Sequence, residues 1–263
     1  MRILFLGDVV GRPGRRAIAR IIRRLTSEAG VEFVVANGEN ASNGKGLNAR
    51  GAEELQDAGV DVVTSGNHIW QHRDIIPYMG ENARILRPLN FAPDVPGRGW
   101  VVRESRRSGV PVAVINLIGR TFMAPADCPF RAVDGILEEV TAQARVVLVD
   151  MHGEATSEKV GMGWFLDGRV SAVLGSHTHV QTADEAILPK GTAHLSDAGM
   201  CGPERSILGV RPDQVLDRFL HQMPGRFDVA DGGPVLVQGA VVDVDVASGK
   251  ATAIARVRER VEG

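Results

Sequence analysis

The stretch Val170-Ser171-Ala172-Val173-Leu174-Gly175-Ser176-His177-Thr178-His179 carries two imidazoles, two residues apart, directly after an apolar run. A short apolar run that ends at a glycine is typical of a buried strand. His177 and His179 therefore stand at the end of a predicted strand, and both side chains can bind a metal ion.

Four other segments have the same layout, in which an apolar strand runs into polar residues. They end in Gly7-Asp8, Asn37-Gly38-Glu39-Asn40, Gly66-Asn67-His68 and Asp150-Met151-His152. Ligands of open α/β sheets collect outside the carboxyl ends of the strands, because the loops converge there while the sheet stays rigid. Carboxylates, imidazoles and amide oxygens together suit Mn, Fe or Zn. The pattern predicts a catalytic site for two metal ions.

Composition places few limits on function. The chain has 263 residues, of which 44% are hydrophobic and 24% charged, and its formal net charge is −2. These values predict one globular domain over residues 1–263, without a general attraction to nucleic acid or membranes. Cys128 and Cys201 are too few for a disulfide framework, which favours the cytoplasm. We expect neither a signal peptide nor a membrane helix, because no apolar run is long enough.

Periodicity predicts helices between the strands. One helix begins at Pro13 and ends before Gly30, and a glycine-rich loop over residues 41–48 precedes a short helix over residues 53–58. A third helix is expected over residues 133–144, and residues 241–246 and 252–257 have a hairpin pattern. Repeated βαβ units favour parallel pairing. We expect two packed sheets with helices outside them.

The motifs resemble the signature of the calcineurin-like metallophosphoesterases. The resemblance rests on Gly66-Asn67-His68 and residues 175–179, together with Asp8 and His152. The chain departs from the common pattern at Asp8-Val9-Val10, where most members have Asp-x-His, at Gly38-Glu39-Asn40, and at Ile69. The first two departures resemble the YmdB-like phosphodiesterases, whose motifs are similar to residues 8–14 and 37–40.

This resemblance implies an α/β fold built as a four-layer α-β-β-α sandwich of two mixed sheets flanked by helices. It also implies a binuclear iron or manganese centre and hydrolysis of phosphodiesters, with 2′,3′-cyclic nucleotides as the leading substrate class. Carried over by position, one metal is held by Asp8, Glu39, Asn40 and His179. The other is held by Glu39, Asn67, His152 and His177, so that Glu39 bridges the two ions.

His68 follows a predicted ligand without being one, and we expect it to protonate the leaving oxygen. The nucleophile implied is a hydroxide that bridges the metals, so no serine or cysteine is required. In the alternative interpretation His68 only orients a water molecule or a carboxylate. Asp8 also has an alternative role, as the N-cap of the first helix.

Several alternatives for the function stay open. The same ligands serve a phosphomonoesterase or protein phosphatase, and structural metals would suit a regulatory RNA- or protein-binding factor. An arginine stripe on the first helix favours RNA or, more simply, a solvated face. Trp70 either stacks on a base of the substrate or lies in the core. Residues 41–48 and 199–206 are expected to be surface turns. Enzymes of this kind often form symmetric homo-oligomers, but the sequence does not locate an interface. The stripe consists of Arg12, Arg16, Arg20 and Arg24, with Arg15 and Arg23 beside it.

Overall fold

The computed structural model describes residues 1–262, and its elements follow one another in a largely alternating order. The helices are α1 (Gly11–Glu28), α2 (Ala49–Asp57), α3 (Ile75–Glu81), α4 (Pro129–Gln143), α5 (Thr156–Phe165) and α6 (Pro212–His221). The strands are β1 (Arg2–Leu6), β2 (Asp8–Val9), β3 (Phe33–Asn37), β4 (Val62–Thr64), β5 (Trp100–Glu104), β6 (Pro111–Ile118), β7 (Val146–His152), β8 (Ala172–Ser176), β9 (Ala186–Ile187), β10 (Ala193–Leu195), β11 (Met200–Pro203), β12 (Val235–Val244) and β13 (Ala251–Val261).

These strands form two mixed sheets within residues 1–262. The first has the order β2-β11-β12-β1-β3-β4, with β13 paired to β12, and β1, β3 and β4 run parallel. The second has the order β5-β6-β7-β8-β10-β9, with a parallel centre from β6 to β10. The parallel strands of each sheet therefore end at one common edge.

The alternating side chains of the strands build three layers of core. Phe5 and Phe33 of the first sheet pack in one cluster with Leu148 and Leu174 of the second, so the two sheets lie face to face. The outer face of the first sheet packs on α1 and α2, and the outer face of the second packs on α4 and α5. The predicted four-layer α-β-β-α sandwich is confirmed.

The helices begin earlier than the sequence pattern predicts. The first starts at Gly11 rather than Pro13, after an N-cap at Val10 that makes no side-chain bond. Asp8 is therefore not the cap, and that alternative is wrong. The second starts at Ala49 because the Asn48 side chain accepts the Gly51 N–H, a cap that the glycine-rich loop concealed. The helix predicted over residues 133–144 is α4, and it starts at Pro129, in the first helical turn, where the missing N–H of proline costs nothing.

The terminal hairpin is confirmed, but it is longer than predicted. Its strands β12 and β13 span 235–244 and 251–261. It joins the first sheet, where β12 pairs antiparallel with β1 and with β11. The expectation of a surface turn over residues 199–206 is wrong in part, since β11 is fully buried and pairs with β2.

None of the helices within residues 1–262 combines the length and apolar character that a bilayer crossing requires.

We predict that Gly239→Ala destabilises the first sheet. A Cβ at Gly239 would lie 2.1 Å from the Phe5 carbonyl oxygen, which belongs to the neighbouring backbone and has no free rotamer to adopt. We expect the free energy of unfolding to fall by at least about 2 kcal/mol in urea titrations. Gly135→Ala is the matched control, because nothing lies within 4 Å of its Cβ in α4. It should raise stability by about 0.5 to 1 kcal/mol. Equal effects of the two changes would contradict this packing.

Candidate metal centre

The structure gathers all the sequence-predicted site residues at the shared carboxyl edge of the two sheets. Asp8 lies in β2, Glu39 and Asn40 follow β3, and Asn67 and His68 follow β4. The second sheet contributes His152 from the end of β7 and the pair His177 and His179 after β8. Two sheets therefore supply one site.

Glu39, His152 and His177 form the centre of one half of the site. One ligand atom from each lies within 4.8 Å of the others. His152 Nε2 is 3.3 Å from Glu39 Oε1, 3.1 Å from His177 Nδ1 and 3.2 Å from Asn67 Oδ1. Three atoms thus surround His152 Nε2, and Glu39, His152 and His177 together can hold a metal ion.

Asp8, Asn40 and His179 form the other half. His179 Nε2 lies 3.8 Å from Asp8 Oδ1 and 3.0 Å from Asn40 Nδ2. Asn40 Nδ2 also donates to Glu39 Oε1 at 3.2 Å. Glu39 therefore contacts both halves, which is the position that a bridging carboxylate requires.

Burial and the neighbouring imidazoles have opposite effects on the pKa values of the two carboxylates. Asp8 and Glu39 are both fully buried. Burial raises the pKa of Asp8 to about 6, against the opposing charges of His179 and His152. Burial also acts to raise the pKa of Glu39, but His152 and His68 outweigh it and hold that pKa well below its usual range. Glu39 is thus a charged carboxylate inside the protein.

The imidazoles respond in opposite directions. Burial lowers the pKa of His152, yet Glu39, Asp8 and Asp150 together raise it to about 9. Burial and the charge of His152 lower the pKa of His177 to about 3. The carboxylates thus draw a positive charge onto His152, at the nitrogen where a divalent ion would displace the proton.

The donor set fits divalent metal ions. Within residues 1–262, Asp8 Oδ1 is buried without a hydrogen-bond partner. A buried acceptor without a partner is costly, and a cation is the partner that an ionised carboxylate lacks. His152 Nε2 and His177 Nδ1 face each other at 3.1 Å, where two lone pairs repel unless a proton or a metal lies between them.

Two hydrogen bonds and one contact with a carboxylate orient the imidazoles. His152 Nδ1 lies 3.0 Å from Ser176 Oγ, and that hydroxyl donates to Asp150 Oδ1 at 2.6 Å, so it accepts from the imidazole. His177 Nε2 lies 3.1 Å from Glu154 Oε2, and His179 Nδ1 lies 2.9 Å from the Leu208 carbonyl. In each ring the other nitrogen is left to face the centre, as bonds behind metal-ligating histidines commonly ensure.

Asn40 has the opposite orientation to the one predicted for a ligand. Its Nδ2 faces His179, and its Oδ1 accepts from His68 Nδ1 at 2.9 Å. Ligation through oxygen requires the amide to turn and exchange these two atoms. Asn67 needs no such change, because its Oδ1 already points to His152.

His68 lies beside the carboxylates rather than among the converging donors. Its side chain is 29% exposed, and its Nδ1 is 3.3 Å from Glu39 Oε1. Its backbone N–H donates to Glu39 Oε2 at 3.2 Å. Because Nδ1 is held beside Glu39 and Asn40, Nε2 is the ring nitrogen that remains for a substrate.

Sequence reasoning missed the residues that support the ligands. Asp150 is buried and accepts from Asn37 Nδ2, Thr64 Oγ1 and Ser176 Oγ at 3.0, 2.5 and 2.6 Å. The signal available was its position: a carboxylate inside an otherwise apolar strand needs buried donors.

The structure also tests the alternative interpretations of Trp70 and of the arginine stripe. Trp70 packs on the outer core, with its ring centroid 6.3 Å from that of Phe91, so the core interpretation is confirmed. Part of the arginine stripe is engaged within the chain: Arg24 pairs with Glu259 at 2.8 Å and Arg15 with Glu54 at 2.6 Å. These pairs favour the solvated-face interpretation over an RNA track.

The face-to-face sheets and the carboxylate, imidazole and amide cluster at their strand ends define a calcineurin-like phosphoesterase. A family model described as YmdB-like protein matches residues 4–257. The chain belongs to the YmdB-like protein family, and the resemblance predicted from the motifs is confirmed.

Relatives match over nearly the whole chain. A Bacillus subtilis (strain 168) protein named 2′,3′-cyclic-nucleotide 2′-phosphodiesterase is 44% identical over 257 residues, which cover 98% of this chain and 96% of the relative. The crystal structure of a hypothetical protein from Thermus thermophilus has a TM-score of 0.91 and 41% identity, and covers 99% of this chain and 100% of its own. The crystal structure of a phosphatase from Mycoplasma pneumoniae has a TM-score of 0.92 and 32% identity, and the match covers 100% of this chain and 94% of the phosphatase.

We predict that Ser176→Ala weakens metal binding. The change removes the acceptor for His152 Nδ1 and leaves the ring free to present the wrong nitrogen. We expect Mn²⁺ affinity, measured by calorimetric titration, to fall about 10- to 100-fold.

Ser171→Ala is the matched control. Ser171 is buried at the other end of β8, where its Oγ accepts from Val147 N–H at 3.1 Å and donates to the Gly249 carbonyl at 2.6 Å. Ser171→Ala should lower the free energy of unfolding about as much as Ser176→Ala does, by about 1 to 2 kcal/mol, but should keep its metal affinity. Equal affinities in both variants would show that the Ser176 bond does not orient His152.

Proposed function

We propose that this protein is a metal-dependent phosphodiesterase that hydrolyses 2′,3′-cyclic nucleotides. The observation that carries the proposal is the convergence of eight side chains, including partly exposed His68, at one edge of the sandwich. The relative named as a 2′,3′-cyclic-nucleotide 2′-phosphodiesterase, which is 44% identical over 98% of this chain, supports the same substrate class.

The proposed centre holds two metal ions. Asp8, Glu39, Asn40 and His179 would hold one, and Glu39, Asn67, His152 and His177 the other. When bound, such ions offset the negative charge of a phosphate and lower the pKa of water toward neutrality. Two divalent ions against the carboxylates of Asp8 and Glu39 leave a local surplus of about two positive charges. A near-neutral protein can thereby bind an anionic substrate.

We propose iron or manganese as the resident metals. The set contains carboxylate and amide oxygens with imidazole nitrogens, and the free thiols of Cys128 and Cys201 are not part of it. Oxygen-rich sites without thiolate favour these ions over a structural zinc. The free thiols also suit a reducing compartment, and the cytoplasm is the proposed location.

His68 is the proposed general acid. In a 2′,3′-cyclic phosphate the bond from phosphorus to one ribose oxygen breaks as a hydroxyl group from water joins the phosphorus, and the proton that the water loses passes through solvent to replace the one that His68 donates. The departing oxygen takes the proton from His68 Nε2. Glu39 Oε1, 3.3 Å from Nδ1, directs the ring.

We predict that His68→Ala abolishes most diester cleavage while both metals stay bound. We expect kcat for 2′,3′-cyclic AMP and for bis-p-nitrophenyl phosphate to fall about 10²- to 10⁴-fold, because the leaving oxygen must depart without its proton. Metal content is measured in parallel on protein purified without chelator or nickel.

His221→Ala is the matched control, since His221 lies on exposed α6 and bonds to Asp217 at 2.7 Å. It should leave turnover unchanged. Full turnover in His68→Ala would remove the general-acid role. Metal without any turnover in the unmodified protein would favour the regulatory factor, and cleavage of p-nitrophenyl phosphate alone would favour a phosphomonoesterase.

We predict that Glu39→Gln loses both metals. The carboxylate touches both halves of the site, and a neutral amide removes the charge that each ion needs. Elemental analysis should find the variant largely free of metal, whereas Glu138→Gln on the exposed face of α4 should match the unmodified protein. Full occupancy in Glu39→Gln would contradict the bridging assignment.

A further inference from the structure

The turn that carries His177 and His179 adopts a backbone that those residues rarely take. Their φ angles are 101° and 64°, in the left-handed region that favours glycine. Such backbone persists only where surrounding groups hold it. The groups that hold this turn therefore decide where both imidazoles point.

One buried carboxylate holds the turn at its middle residue. Asp197 Oδ2 accepts the Thr178 backbone N–H at 3.1 Å and the Thr178 hydroxyl at 2.8 Å. Its other oxygen accepts the Gly199 N–H at 2.8 Å. Asp197 is itself fixed, because its backbone N–H donates to Thr182 Oγ1 at 2.9 Å.

A buried lysine completes this arrangement. Lys159 of α5 is 1% exposed, and its Nζ donates to Asp197 Oδ2 at 2.8 Å and approaches the Ser176 carbonyl at 3.4 Å. Gly175 leaves room for the lysine stem, since a Cβ there would lie 2.7 Å from Lys159 Cδ. The ammonium thus reaches both the carboxylate and the strand end that leads into the turn.

Solvent access separates this pair from the catalytic groups. Lys159 and Asp197 side chains are 2% and 1% exposed, so neither can meet a substrate. A buried ion pair is weak support for stability as such, because apolar replacements often serve equally well. The three bonds from Asp197 to Thr178 and Gly199 instead constrain local backbone.

We propose that Lys159 and Asp197 are positioning residues that hold His177-Thr178-His179 in its left-handed turn, so that one imidazole serves each half of the metal centre. The inference rests on the proposed ligand roles of His177 and His179. Asp8 assists from the opposite side, where its Oδ2 accepts the His177 N–H at 2.9 Å.

Thr178→Val tests the proposal without disturbing a buried charge. Valine has the shape of threonine, but its side chain cannot donate to Asp197, so only the backbone N–H bond remains. We expect Mn²⁺ affinity, measured by calorimetry on metal-free protein, to fall about 10- to 100-fold. Thr178→Ser, which keeps the hydroxyl, should restore most of that affinity. Thr192→Val is the control, because Thr192 is a buried threonine whose Oγ1 donates to the Val170 carbonyl at 2.7 Å, away from the turn.

A double variant tests the ion pair itself. Lys159→Gln with Asp197→Asn removes both charges together, so the protein is not left with one buried ion. We expect this double variant to fold, by circular dichroism and thermal melting, and to bind Mn²⁺ more weakly. Combining it with Thr178→Val should add little further loss, because both changes act on one network.

The outcomes separate this proposal from the proposed function. If the unmodified protein binds no Mn²⁺, the metal centre itself is wrong. If it binds Mn²⁺ while Thr178→Val and the double variant bind it with unchanged affinity, the positioning role is overturned and the centre stands. If Thr192→Val weakens binding as much as Thr178→Val, the effect is one of general stability and the proposal fails.

Discussion

The burial of two carboxylates at the junction of the sheets is the constraint on which the site depends. Asp8 and Glu39 are fully buried, and an isolated ionised carboxylate is expensive to remove from water. Glu39 has His152 and His68 beside it, whereas Asp8 Oδ1 has no hydrogen-bond donor within the described residues. The imidazoles of the second sheet provide part of the compensating charge, and the proposed divalent ions would provide the rest.

This compensation requires the two sheets to be packed. Asp8, Glu39 and Asn67 come from the first sheet, and the histidines proposed as ligands come from the second. The core between them, around Phe5 and Leu148, therefore sets the distance between opposite charges as well as stabilising the fold. A metal bound at this junction favours the packed state over the unfolded chain, in which the site does not exist.

The proposed ligands could be picked out from the sequence because each follows a local signal, an apolar strand that ends in glycine or a polar residue. The supporting residues lack such a signal. Asp150 lies inside β7, and Lys159 meets Asp197 across 38 residues of chain. The strand β11 was concealed for a related reason: Met200-Cys201-Gly202-Pro203 reads locally as a turn, and its pairing with β2 decides its structure. Contacts between distant segments cannot be inferred from local pattern alone.

The departure at Val10 from the common Asp-x-His pattern has a physical counterpart in this fold. Val10 is 1% exposed, and its side chain lies where Cβ atoms at Gly202 and Gly209 would approach it to 2.9 and 2.6 Å. The two glycines thus leave room for an apolar side chain at the position of the usual histidine. With no imidazole there, Asn40 is the neighbouring side chain that can offer an oxygen to the same half of the site. Once turned, its amide oxygen is a harder ligand than an imidazole nitrogen, and this exchange supports the proposal of iron or manganese over zinc.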